Sequence, residues 1–342
     1  MRHTDKFQIP KTVVNLKIAN VVIQIQSRFP LDQCNPGLEE KDPYKRFKSF
    51  FYEGKQTPHI RIKVEIVNRL PEIPKAKPVF VAYHFQDRKE NWRLLKRGNT
   101  YIYKSRLEEK EQFMVVNKTL DSITAYLLPK KHANALTRGK RGCIKKSNEL
   151  VWDIADIIYD FLQVLLINYL AVIKKDGIFT HAIGIKEINK DGLLFAGKSK
   201  AGKSTLAKIY HKHSKAMVLN DDRIIVSKIN NKFYIYGSPW YGAFGDYLEL
   251  QIDRAKLKSI LFLQKSKENS IEPVSRCEAF KLLYPAMFPT FWDRGGIKVI
   301  SMFLVDLLSK VPCFRLKFKK NKSVIGFVRK TAEKLDRLYE CK

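Results

Sequence analysis

The sequence has few acidic residues for its length. Its 342 residues include 34 Asp and Glu against 64 Lys and Arg, which gives a formal net charge of +30. The excess is spread along the chain and favours acidic partners such as an acidic peptide, nucleic acid or an anionic membrane. The alternative explanation is that the proteins of the source organism are rich in lysine in general, in which case the charge indicates no particular partner. Because no aromatic-and-basic RNA pattern and no DNA-binding motif accompanies it, the sequence disfavours nucleic acid as a partner, although the charge alone leaves it open.

The sequence also lacks paired cysteines and a long apolar run. The longest apolar stretch, 162–173, is too short to cross a bilayer, and the first residues form no apolar signal region. The histidines show no metal-ligand spacing. We therefore expect a cytoplasmic protein without a transmembrane segment. The five cysteines are far apart and form no Cys-x-x-Cys pair, which predicts reduced thiols rather than disulfides or a zinc site; they are Cys34, Cys143, Cys277, Cys313 and Cys341.

A glycine-rich loop with the pattern G-x-x-x-x-G-K-S lies between two apolar segments. The apolar run 193–196 predicts a buried strand, and helical spacing over 204–210 predicts a helix. Backbone N–H groups of such a loop form an anion-binding nest, and the helix N-terminus adds positive potential. The loop therefore predicts a phosphate site whose Lys203 reaches the outer phosphates and whose Ser204 ligates Mg²⁺. Its residues are Gly197, Lys198, Ser199, Lys200, Ala201, Gly202, Lys203, Ser204 and Thr205.

Two other polar elements flank this loop in the sequence. About one helix downstream, an apolar run leads into the adjacent carboxylates Asp221 and Asp222. In a parallel sheet they would emerge beside the loop and hold Mg²⁺ or act as a base; a solvated acidic turn is the alternative. Upstream, 179–185 reads as a strand with His181 near its start, and a lone histidine in a strand is more often structural than functional.

Together the three elements resemble the C-terminal kinase domain of HPr kinase/phosphorylase, a branch of the phosphoenolpyruvate-carboxykinase-like P-loop fold. The order of histidine strand, glycine loop and Asp pair distinguishes this family from other P-loop proteins. Later segments, beginning with YIYGSPWYGAFGDY at 234–247, are similar to the stand-alone HPr-kinase-like proteins of modified-peptide gene clusters. The resemblance extends from residue 157 to the C-terminus. Its central segments are THAIGI (180–185), LLFAGKSKAGKSTLAKI (193–209) and VLNDDRIIV (218–226).

The resemblance implies ATP and Mg²⁺ as cofactors and assigns a role to each site residue. Lys203 would bind the β-phosphate and Ser204 would ligate the metal. Asp221 would assist with the metal or orient the site. Asp222 would be the general base toward a serine hydroxyl, and His181 would lie near that hydroxyl and the transferred phosphate.

The chain departs from the family pattern in the stretch 237–246. No Glu stands there in place of the family's metal-binding Glu, and Asp246 and Glu249 are the candidate replacements. The chain also shows no clear match to the catalytic arginine loop of bifunctional members. We therefore expect kinase activity more than phosphorolysis.

The two halves of the chain have different sequence patterns. Residues 1–147 predict a β-rich accessory or substrate-recognition domain, because apolar and alternating segments recur between prolines. A basic stretch at 129–148 marks the boundary, and 148–342 forms the kinase domain, which starts with an apolar helix. The predicted N-terminal strands lie at 13–25, 60–67, 79–85, 100–103 and 112–116.

The pattern beyond the Asp pair predicts a hairpin over 223–236, followed by an aromatic loop. The aromatic residues of that loop form either a lid or peptide-facing wall, or a packed interior; they are Trp240, Tyr241, Phe244 and Tyr247. The remaining predicted elements are a strand at 257–263, helices at 278–287 and 297–308, a strand at 313–318 and a closing helix at 324–339.

The sequence therefore predicts an α/β protein with a kinase domain of the HPr kinase/phosphoenolpyruvate carboxykinase type behind a β-rich domain. The expected function is ATP- and Mg²⁺-dependent phosphorylation of a serine on a peptide or small protein, in peptide natural-product maturation. The alternative is a maturation factor that binds or hydrolyses ATP without phosphoryl transfer. A basic nucleic-acid-binding ATPase is a third, weaker class, and a homo-oligomer stays open.

Overall fold

The chain divides into two compact units, residues 1–165 and 166–342. The expected boundary at 147/148 and the basic stretch 129–148 lie outside the described residues. Within the described part, no helix is long and apolar enough to cross a membrane. The computed structural model describes residues 12–28, 47, 49–72, 76–83, 89–107, 110–128, 161–242, 244, 248, 252–290 and 292–339.

The first unit contains an eight-stranded mixed sheet in the order β1-β2-β3-β8-β7-β6-β5-β4. The pairs β2–β3 and β3–β8 are parallel, and the other neighbours are antiparallel. The predicted strands at 60–67, 100–103 and 112–116 are present, and the one at 79–85 is present up to residue 83, where the described range ends. The segment 13–25 forms two strands rather than one, because the chain turns at Ala19, where φ is 52°. Strands β5 and β8 were not predicted. The strands are β1 (Val13–Ile18), β2 (Val21–Ser27), β3 (Ile60–Ile66), β4 (Pro78–Tyr83), β5 (Glu90–Arg97), β6 (Thr100–Leu107), β7 (Lys110–Asn117) and β8 (Ser122–Leu127).

Burial in this sheet follows the two-residue period of a strand. In β3, Ile60, Ile62 and Val64 are buried, whereas Arg61 and Lys63 are exposed. One face of the strand therefore packs into the unit, as the alternation in the sequence predicts.

The second unit contains another eight-stranded mixed sheet, with helices on both faces. Its strands are β9 (Gly177–Lys186), β10 (Asp191–Ala196), β11 (Met217–Asn220), β12 (Arg223–Ile229), β13 (Lys232–Tyr236), β14 (Arg254–Lys265), β15 (Ser270–Pro273) and β16 (Cys313–Phe318). The helix α1 (Gln163–Asn168) spans the boundary between the units and continues as a π-helical segment (Tyr169–Lys174). The other helices of the second unit are α2 (Lys203–His213), α3 (Arg276–Leu283), followed by a 3-10 turn (Tyr284–Ala286), α4 (Arg294–Lys310) and α5 (Ser323–Tyr339).

Strand β10 lies at the centre of this unit. Leu194 and Ala196 belong to the apolar cluster shared with α3 and α4, while Leu193 and Phe195 belong to the cluster shared with α2 and α5. Both faces of the strand are buried, which explains why its sequence is a continuous apolar run rather than an alternating one.

The sheet around β10 is mixed rather than parallel. Only β10–β14 and β14–β16 pair in parallel; β9 is antiparallel to β10, β11 and β12. The pairings β9–β12–β13–β14–β10 return to β9 and close a circuit of five strands. Because β9 separates β10 from β11, those two strands still run in the same direction and end at the same edge.

The predicted hairpin is present as β12 and β13, and its turn residues Asn230 and Asn231 have φ of 46° and 63°. Two consecutive positive φ values are typical of a type I′ turn, which asparagine tolerates. The predicted strands at 257–263 and 313–318 and the predicted helices at 297–308 and 324–339 are also confirmed, with bounds extended by several residues in β14 and α4. The helix predicted at 278–287 ends earlier, because α3 stops at Leu283 and a 3-10 turn follows it. Strand β15 was not predicted.

Candidate active site

The glycine-rich loop connects the end of β10 to the first turn of α2, as predicted. Lys200 and Gly202 adopt φ of 65° and 107°. A Cβ on Gly202 would lie 2.8 Å from Phe318 Cζ, so this position requires glycine for space as well as for conformation. Lys203 is buried, and its Nζ donates to the carbonyl oxygens of Gly197 at 2.8 Å and Lys198 at 3.3 Å. The lysine thus curls over the loop that precedes it.

Strand register brings the histidine and the Asp pair to this loop. Ala182 of β9 pairs with Ala196, the residue before the loop, on one side of the strand. On the other side, His181 pairs with Arg223, the residue after the Asp pair. The backbone N–H of Ala182 also donates to Asp222 O at 3.2 Å. The three segments that the sequence singled out therefore meet at one point.

Asp222 lies at the centre of a three-residue ion network. Its Oδ1 is 3.0 Å from His181 Nδ1, and its Oδ2 is 2.5 Å from an Arg223 guanidinium nitrogen. His181 Nδ1 also lies 3.3 Å from Arg223 Nη1, so the three side chains contact one another pairwise. The sequence analysis did not identify Arg223 as part of the site. The only indication in the sequence was its position directly after the Asp pair.

Asp221 and Asn220 fix the backbone around this network. Asp221 is 2% exposed and accepts hydrogen bonds from the N–H groups of Gly242 at 2.8 Å and Phe244 at 3.0 Å. Asn220 Oδ1 accepts from the N–H groups of Asp222 and Arg223, which shapes the bend that holds the pair. Each Asp221 oxygen keeps a second lone pair, so anchoring this loop is compatible with the predicted contact to a metal.

Burial makes the positive charges of the site costly. It lowers the pKa of Lys203 and of Arg223, although the negative charge of Asp222 opposes the shift in both. Burial also lowers the pKa of His181, with Lys203 and Arg223 adding to the shift and Asp222 opposing it. An anionic ligand beside these groups would offset that cost, so the electrostatics favour an anion at this site.

Two adjoining cavities open at the loop. The smaller, of about 390 Å³, is lined by residues 202–205, the Asp pair, Gly242, Lys265, His181 and the loop residues Ser199 and Lys200. The larger, of about 820 Å³, is lined by residues 197–201, Lys265 and His181 together with apolar residues from β14 and the 282–288 segment. His181, Ser199, Lys200 and Lys265 line both cavities.

The structure brings every predicted site residue to the smaller cavity or the loop that borders it. Ser204 is exposed and Thr205 half-buried in the first turn of α2. Trp240 and Phe244 are buried, which supports the packed interpretation of the aromatic loop for these two residues over a lid. Tyr247 and both candidate replacements for the family's metal-binding Glu, Asp246 and Glu249, lie outside the described residues.

The residues fit a nucleoside triphosphate with Mg²⁺. The ammonium of Lys203 and the backbone N–H groups at the start of α2 supply the donors that a phosphate chain requires. No group of three or more His, Cys, Asp and Glu in the described ranges forms a metal cage. Mg²⁺ is usually held by one or two carboxylates and by phosphates, so Ser204 and Asp221 suit it.

Gly202→Ala is expected to lower the free energy of unfolding by about 1–3 kcal/mol, because the new Cβ meets Phe318 at an unfavourable φ. It should also weaken nucleotide binding. The matched control is Gly326→Ala in α5, where a Cβ meets nothing within 4 Å and helix propensity predicts a gain of about 0.5–1 kcal/mol. Urea denaturation measures both changes. Equal effects at the two glycines would contradict the requirement for glycine at position 202.

Stability is expected to fall as the pH drops below the ordinary histidine pKa of about 6.5. Because the pKa of His181 is lowered in the folded chain, the unfolded chain binds more protons in that range and protonation favours unfolding. His181→Asn should reduce this fall between about pH 7 and pH 5, as measured by urea denaturation at a series of pH values. His213→Asn, at an exposed position in α2, is the control, and identical pH profiles for the two variants would refute the assignment.

Comparisons with known proteins give similarity to solved structures only. No protein-family model matches the chain, and no curated protein matches it. Among solved structures, the HPr(Ser) kinase/phosphatase from Coxiella burnetii is similar over 47% of this chain and 96% of that chain, with 13% sequence identity and a TM-score of 0.27. At that score the similarity carries no argument, so the function has to be inferred from the site itself.

Proposed function

We propose that this chain is an ATP- and Mg²⁺-dependent kinase that phosphorylates a serine hydroxyl on a peptide or small protein. The observation that carries the proposal is the meeting of the glycine-rich loop with the Asp222–His181 pair at one cavity. A phosphate-binding loop alone supports nucleotide binding, whereas a carboxylate poised beside it supports proton acceptance from an incoming hydroxyl.

Each side chain has a distinct task in this scheme. Lys203 and the backbone of the loop hold the phosphates and neutralise charge that develops on them. Asp222 takes the proton of the serine hydroxyl, so that the serine oxygen bonds to the γ-phosphorus while the bond to the bridging oxygen breaks and ADP leaves with its electron pair. His181 holds one oxygen of Asp222 and Arg223 holds the other. Mg²⁺, held by Ser204 and Asp221, would supply further charge neutralisation on the phosphate oxygens.

The test is phosphate transfer from ATP to a degenerate library of serine-centred peptides in the presence of Mg²⁺. We expect mass spectrometry to detect phosphoserine in the library, with product formation dependent on both ATP and Mg²⁺. Release of inorganic phosphate without any phosphopeptide would instead identify an ATP-hydrolysing factor and overturn the kinase proposal.

A further inference from the structure

The larger of the two cavities has a wall that is mostly apolar. Its 820 Å³ are bounded on one side by loop residues 197–201 and on the other by side chains from β14 and the stretch after α3. A cavity of this size and polarity is suited to an apolar group with a few polar contacts. The apolar residues that define it, called here the apolar cavity, are Phe262, Leu282, Pro285, Ala286, Met287 and Phe288.

The apolar cavity borders the first half of the glycine-rich loop, whereas the phosphate-holding groups belong to its second half. Residues 202–205, which include the ammonium and hydroxyl donors, line the smaller cavity, whereas Gly197, Lys198 and Ala201 line the apolar cavity. His181 borders both. A group bound in the apolar cavity therefore lies beside the Asp222–His181 pair without displacing the phosphates.

The wall of the apolar cavity is fixed to the catalytic network. Met287 forms a backbone bridge with Thr180, and the N–H of Phe288 donates to Phe179 O at 3.1 Å. The guanidinium carbon of Arg223, which pairs with Asp222, lies 4.3 Å from the centre of the Phe288 ring. A group bound in the cavity is therefore held in a fixed position relative to the Asp222 carboxylate, which accepts the proton.

The charged residues around the apolar cavity are basic. Lys198, Lys200, Lys265, Lys281 and Arg315 line it, and no described lining residue is Asp or Glu. Arg315 is paired with Glu272 and Glu278. None of the ion pairs among the described residues involves the four lysines, so their charge is available to a ligand. This composition favours an occupant that combines an apolar group with negative charge.

We propose, on the basis of the kinase function proposed above, that the apolar cavity selects the peptide substrate. It binds an apolar side chain next to the acceptor serine, and the four lysines contact Asp or Glu side chains that flank it. The substrate is therefore an acidic peptide segment in which a Leu, Met or Phe neighbours the phosphorylated serine.

The test uses the full chain, ATP, Mg²⁺ and the serine-centred degenerate library, with sequencing of the phosphorylated peptides. Burial of one large apolar side chain contributes about 1.5–3 kcal/mol, which predicts roughly tenfold or greater enrichment of Leu, Met or Phe over Ala beside the serine. Asp and Glu should be enriched at flanking positions. Leu282→Asp should abolish the apolar enrichment, and Lys281→Glu should weaken the acidic one, while the KM for ATP stays within about twofold of wild type.

Two controls keep the result interpretable. Met302→Asp introduces the same charge at a side chain of α4 that is 62% exposed, and it should leave the enrichment unchanged. Leu282→Ala, which removes apolar surface without adding charge, replaces Leu282→Asp if the latter fails to fold.

The outcomes separate this proposal from the function on which it depends. Phosphorylation of the library without apolar or acidic enrichment would overturn the proposal and leave the kinase function in place. A raised KM for ATP in Leu282→Asp, with peptide selection unchanged, would assign the cavity to the nucleobase and also overturn it. Binding of ATP without phosphorylation of any peptide would overturn the kinase function and this inference with it.

Discussion

Lys203→Met is expected to reduce the affinity for ATP with Mg²⁺ by roughly 10- to 100-fold. A charge-assisted hydrogen bond contributes about 1.5–3 kcal/mol, and each 1.4 kcal/mol corresponds to tenfold in affinity. Methionine keeps the aliphatic volume of the buried stem but removes the ammonium, which donates to the carbonyls of Gly197 and Lys198. Isothermal titration calorimetry with a non-hydrolysable ATP analogue measures the loss.

The matched control for this variant is Lys212→Met, which removes the same charge from an exposed position of the same helix. It should bind the analogue as the wild type does. Thermal unfolding of both variants separates lost binding from lost structure. Unchanged affinity in a folded Lys203→Met variant would refute the phosphate-loop assignment.

Asp222→Asn is expected to bind ATP within a few-fold of the wild type but to lose phosphate transfer by about 10²–10⁴-fold, the range for loss of a general base. The amide keeps the shape of the side chain but cannot accept the serine proton. It also removes the negative charge that compensates Arg223, so a moderate loss of stability should accompany it. Initial rates of phosphopeptide formation and calorimetric ATP affinity are the two measurements.

Asp306→Asn provides the control for Asp222→Asn. Asp306 pairs with Lys228 and Lys310, and its substitution removes a paired carboxylate of the same unit that lines neither cavity. Its transfer rate should match the wild type. Full transfer activity in Asp222→Asn would show that a group other than Asp222 acts as the general base.

Local features of the site could be predicted from the sequence because they depend on neighbouring residues. The loop after β10 requires glycine at position 202, where φ is 107°. The hairpin turn at Asn230 and Asn231 is equally local. In each case, backbone conformation restricts the residue type, so the residue type reveals the conformation.

Other features depend on pairing between distant segments. The sequence did not indicate that β9 runs antiparallel between β10 and β11, and it is this register that places His181 between the loop and Asp222. The role of Phe288, more than sixty residues beyond Arg223, follows from the same long-range packing. Periodicity reports which face of a strand is buried but not which strand lies beside it.

The missed strands have physical reasons as well. In β5, Leu94 and Leu95 are adjacent and both buried, which breaks the alternation that a half-buried strand normally shows. Strand β15 lies at the edge of its sheet and ends in Pro273. Because proline has no backbone N–H to donate, its presence argues against a strand in the sequence.

The central claim is that nucleotide phosphates occupy the loop with the terminal phosphate facing Asp222 and His181. The most direct measurement is a crystal structure of the full chain with Mg²⁺ and a non-hydrolysable ATP analogue. We expect the phosphate chain to bind the backbone N–H groups of residues 198–204, with the γ-phosphate on the Asp222 side and the apolar cavity open for an acceptor. A nucleotide bound elsewhere, or a γ-phosphate directed away from Asp222, would contradict the account.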